Sequence, residues 1–100
     1  MRFAARTRPA RFAQFAERVF GLSLKHPEDA DAAAEGIDRF EDFLRSIGCP
    51  TRLSEVGIGD DMLKRYAEDT LLVAQNAEGR LPGRPGMSKE DIVEVLRSAL

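Results

Sequence analysis

Apolar residues return every third or fourth position along nearly the whole chain, the period of a helix buried on one side. Phe12, Phe15, Ala16, Val19 and Phe20 fall at i, i+3, i+4, i+7 and i+8, which gives a first helix with one wide apolar face and Gly21 placed to stop it. The link "SLKHP" leads into the second and longest helix, with Pro27 at a first-turn position and Glu28 and Asp29 facing the positive end of the helix dipole. Its stripe runs Ala30, Ala33, Ile37, Phe40, Leu44 and Ile47 in alternating steps of three and four, widened by Ala34 and Phe43. On its wet side Glu35–Arg39 and Glu41–Arg45 are acid-before-base pairs four apart, worth ~0.2–0.5 kcal/mol each.

Gly48 supplies a left-handed cap, and Pro50 forbids continuation of the helix. "TRLSEVGI" reads as a turn-rich connector whose Leu53, Val56 and Ile58 tuck back onto the long helix. Asp60 or Asp61 then caps a third helix with Leu63, Tyr66, Ala67, Thr70, Leu71 and Ala74 on its buried side. The stretch "NAEGRLPGRPGM" holds three glycines and two prolines and predicts an exposed loop. Ser88 with Asp91 three positions on forms a capping box for a last helix marked by Ile92, Val95, Leu96, Ala99 and Leu100. The prediction is an all-α fold, a small bundle of about four helices in a single domain spanning residues 1–100. Phe12, Phe15, Val19, Ile37, Phe40 and Leu44 are its expected core.

Composition narrows the function classes. With 43% hydrophobic and 32% charged residues the sequence is that of a folded soluble chain, and one hundred residues bury roughly 60–65% of the unfolded surface. A formal net charge of −2 is too small to imply nucleic acid or a membrane as partner, and neither is expected. The basic start "MRFAARTRPAR" is followed by no apolar core of a secretory signal. A single cysteine excludes an intrachain disulfide and fits a reducing compartment, so the cytoplasm is the expected location.

Reactive chemistry is sparse. His26 is the only histidine, so no histidine-based metal cluster or triad can form within one chain, and its place before Pro27 suits a loop. Cys49, between a helix-stopping glycine and a proline, reads as packed or idle. Asp60 and Asp61 are explained by a helix N-terminus without acid–base work. Arg2, Arg6, Arg8 and Arg11 form a basic patch but lack a groove-reading motif, which favours a solvated or interdomain face. "GRLPGRPG" lacks the Lys-Ser/Thr ending of a phosphate-binding loop and reads as a linker.

Three segments carry a more specific signal: "PARFAQFAERVFGL", then "AAAEGIDRFEDFLRSIGCPTRLSEVGI", then "MSKEDIVEVLRSAL". In that order and spacing they resemble the C-terminal end of the iron-containing (group III) alcohol dehydrogenases, nearest in flavour to the butanol dehydrogenase branch. The strongest element is Arg45–Ile58, a helix followed by Ser-x-Gly and then Pro-Thr-x-Leu-Ser-Glu-x-Gly-Ile, with Ile47 at the variable position. The Lys89-Glu90-Asp91-Ile92 start of the last helix is similar to the family's closing helix. Two departures stand out. Arg8 occupies the place of an asparagine before the proline, and "EGRLPGRPG" stands where the family has Gly-Gly-x-x-Gly.

The resemblance implies a parent enzyme that interconverts alcohols and aldehydes with NAD(P) and a divalent metal, iron or zinc. Its fold is that of the dehydroquinate synthase-like enzymes, an N-terminal α/β nucleotide-binding domain and a C-terminal helical domain with the active site in the cleft between them. This chain would form part of the helical domain. The family's glycine-rich dinucleotide loop has no counterpart here, and its metal ligands, one acidic residue and three histidines, lie upstream of the matched segment. No catalytic, cofactor-binding or metal residue therefore carries over, and His26 matches none of the ligands. Met1 resembles an internal methionine of the family, so the chain is expected to be a fragment, non-catalytic by itself. Its expected partner is the remainder of the dehydrogenase or a second copy through the apolar first helix. The alternatives are a free-standing helical module that binds a partner protein through the Phe-rich first helix, and a small nucleic-acid binder using the N-terminal arginines.

Overall fold

A computed structural model describes residues 1–100 as five α-helices and two 3-10 turns, with no strand. The helices are α1 (Arg2–Ala5), α2 (Pro9–Phe20), α3 (Ala30–Ser46), α4 (Leu63–Ala74) and α5 (Lys89–Ser98), and the turns are Leu53–Val56 and Asp60–Met62. Contacts gather into two compact units, Met1–Cys49 and Pro50–Leu100. The boundary falls where the sequence places its sharpest stop. Gly48 takes φ 81°, its N–H donates to Arg45 O at 3.0 Å, and the N–H of Cys49 donates to Leu44 O at 3.0 Å. These bonds satisfy carbonyls that the ending helix leaves open.

In the first unit α2 and α3 pack through their smallest residues. Ala13 and Ala16 are fully buried on α2, and Ala32, Ala33, Gly36 and Ile37 are buried on α3. A glycine inside a helix is about 1 kcal/mol less favourable than alanine, so Gly36 needs a packing reason. It has one: a β-carbon added there would lie 2.5 Å from Ala16 Cβ and 3.0 Å from Ala16 Cα. The close crossing corrects the expected core. Phe12, Phe15, Phe40 and Leu44 are half-buried around the small-residue seam, and Val19 is 60% exposed. The long helix's stripe is also narrower than its spacing suggests, since Ala30, Ala34, Phe43 and Ile47 are exposed. Phe15 is the aromatic hub, edge-to-face with Phe20 at 5.6 Å and with Phe40 at 5.9 Å between centroids.

Where the sequence puts Pro27 in the first turn of α3, the structure keeps it in the preceding turn and starts the helix at Ala30. The reason is Asp29, whose carboxylate accepts from Ala32 N and from Lys25 N, each at 3.0 Å, and so takes the N-cap. Helix α1 is an addition to the sequence reading. Its Arg2 reaches Asp38 at 2.7 Å and Glu41 at 3.0 Å, which ties the basic start to α3. The predicted Glu35–Arg39 and Glu41–Arg45 pairs both close at 3.0 Å.

In the second unit α4 and α5 pack through Leu63 and Ala67, both fully buried, and Ile92. Tyr66 and Ala74, expected on the buried side of α4, are exposed. Neither Asp60 nor Asp61 caps α4: the chain enters it through a 3-10 turn in which Leu63 N donates to Asp60 O, and Asp60 pairs with Arg97 at 3.1 Å. The connector "TRLSEVGI" is bonded to the end of α5. Arg52 donates to Ser98 O at 2.9 Å, Leu53 N to Ala99 O at 2.7 Å, and Ser54 Oγ to Leu100 O at 2.7 Å. Carbonyls that a terminating helix leaves unpaired thus acquire donors. The Ser88–Asp91 capping box forms in both directions, at 3.2 and 2.9 Å.

Candidate functional site

Each chemistry-bearing residue picked out from the sequence is held by local structure within its own unit. His26 sits exposed in the turn before α3, where its carbonyl accepts from Asp29 N at 3.2 Å. It lines an open groove of about 500 Å³ together with Arg11, Gln14, Glu17, Leu24 and Pro27. Cys49 is a free, exposed thiol at the end of the α3 cap. Asp29 is the one charged side chain that is buried, and its two backbone donors, Lys25 first and then Ala32, hold its carboxyl below the usual carboxylate value. That is the electrostatics of a helix cap, with the negative charge at the positive end of α3.

Along α4 and α5, Lys64, Lys89, Glu90, Glu94 and Arg97 line a second open groove with Val93. Two of its cations are spoken for: Lys89 donates to Glu68 at 2.6 Å, and Arg97 to Asp60. The Lys89 contact holds the Glu68 carboxyl below its ordinary range. Mixed charge paired across the surface leaves no concentrated field for an anion.

The Gly-rich loop before α5, expected to be an exposed linker, is largely exposed yet internally tied. Asn76 Oδ1 accepts from Glu78 N and Arg80 N at 3.0 Å each, and Leu81 and Met87 exchange backbone bonds at 2.8 and 3.0 Å. Arg80 bonds Gly86 O and Asp91, both at 3.3 Å, so the loop's first arginine braces the start of α5. At the N-terminus Arg2 is committed to α3, Arg6 lies 5.4 Å over the Phe3 ring, and Arg11 contacts Gln14 at 3.5 Å. The Phe-bearing side of α2 meets α3 through Phe15 and Phe40.

No group of three or more His, Cys, Asp or Glu side chains is arranged to hold a metal ion. No helix is long and apolar enough to cross a membrane. What the fold does position is a frame within each unit: the Gly36–Ala16 crossing, the Asp29 cap and the Arg2 tie to α3 in the first, the Ser88 cap and the Arg80 brace on α5 in the second. Gly36 does carry a signal in the sequence, since a glycine in the middle of a helical pattern marks close packing. For Arg2 and Arg80 no local signal exists, because their partners lie 36 and 11 positions away.

Comparison with known proteins identifies what this frame belongs to. The family described as "Fe-containing alcohol dehydrogenase family, C-terminal" matches residues 1–100. Probable NADH-dependent butanol dehydrogenase 1 of Bacillus subtilis (strain 168) is 34% identical over 100 residues, all of this chain and 24% of that protein. Probable NADH-dependent butanol dehydrogenase 2 of the same organism is 28% identical over 100 residues, again the whole chain and 25% of that protein. NADH-dependent butanol dehydrogenase A of Clostridium acetobutylicum is 27% identical over 89 residues, 89% of this chain and 22% of that protein. The chain spans about a quarter of the length of the curated relatives it matches. With helices as its only regular elements and a match along its whole length, the chain belongs to the iron-containing alcohol dehydrogenase family and corresponds to its C-terminal region.

Proposed function

We propose that these residues serve as a rigid helical wall of an NAD(P)- and metal-dependent enzyme that interconverts alcohols and aldehydes, and that they supply no reacting group themselves. The observation that carries this reading is the match of all 100 residues to the C-terminal region of the family. The physical argument is that catalysis depends on positioning as much as on reactive groups, because a displacement near 1 Å can lower a rate ~10²-fold. Two helices locked at a glycine–alanine crossing, with caps at their ends, resist such displacement. The partner in this reading is the remaining part of a dehydrogenase chain, and exposed Val19 on α2 is apolar surface available to it. The same reading places the protein in the cytoplasm, in keeping with its lone unpaired cysteine.

A chimera tests the proposal. The matched C-terminal segment of the Bacillus subtilis butanol dehydrogenase 1 is replaced by this chain, and NADH oxidation with an aldehyde is followed. Activity of the chimera together with none from the 100-residue chain alone is the expected result. A folded chimera that binds NADH and metal yet fails to turn over would overturn it, as would aldehyde reduction by the isolated chain.

A further inference from the structure

We draw no further inference here: the strongest candidate, the outward face of the last turns of α4 where Leu72 and Val73 stand exposed, is an unpartnered apolar surface, and nothing in the structure shows what covers it.

Discussion

Replacing Gly36 with alanine tests the crossing that organises the first unit. The new methyl group would start 2.5 Å from Ala16 Cβ and 3.0 Å from Ala16 Cα. Carbon atoms pack at ~3.5–4.0 Å, so α2 and α3 must separate by about 1 Å, and a gap of that size forfeits roughly a quarter to a half of the dispersion attraction across the seam. Both obstructing atoms are fixed to the backbone, so no side-chain rotation relieves the clash. Overpacking of this kind destabilises by ~1–3 kcal/mol. Against it stands the helix-propensity gain of glycine to alanine, ~1 kcal/mol. The net expectation is a loss, and a double-mutant cycle separates the two terms. Ala16→Gly removes the nearer contact, so in that background Gly36→Ala should recover much of its propensity gain, with a coupling energy of about 1 kcal/mol or more. Urea unfolding followed by far-ultraviolet circular dichroism, run on the four proteins of the cycle, measures it. Additivity within ~0.5 kcal/mol, or a Gly36→Ala chain more stable than the parent, would refute the close crossing.

Three further expectations follow from the caps and the surface. Asp29 has its folded pKa depressed below the ordinary 3.8 by two backbone donors, so its stabilisation is present above that value and is lost as pH falls through and below it. Thermal melts across the acid range should show a smaller acid destabilisation in Asp29→Asn, and an unchanged pH profile would count against the cap. Ser88→Ala removes the acceptor for Asp91 N and should lower stability by ~0.5–2 kcal/mol in denaturant titration, with Ser88→Thr nearly neutral. Leu72 and Val73 are 79% and 88% exposed, so the Leu72→Gln/Val73→Gln variant should bind less hydrophobic dye than the parent at equal helicity; equal dye binding would show that these side chains do not form the apolar surface.

The sequence by itself determined the four longer helices and several of their ends, but neither the short α1 nor the starts of α3 and α4. Period fixes which residues share a face, while Gly21, Gly48, Pro50 and the Ser88–Asp91 pair act within a few residues of where they stand. The Arg45–Ile58 element and the closing helix also made the family legible, because order and spacing of stops are properties of the chain alone. Tertiary structure decided which atoms touch. A stripe containing Phe12, Phe15 and Val19 beside Ala13 and Ala16 does not say whether large or small residues meet the neighbour. Gly36 decides it by admitting Ala16 so closely that the phenylalanines are pushed to the rim. Likewise Asp60 is a plausible cap by position, but a 3-10 turn satisfies the helix start and frees its carboxylate for Arg97, 37 residues away. Local rules specify dihedral angles and periodicity over a turn or two. Contacts across tens of residues depend on how near two backbones can come, and that distance exists only once the chain has folded.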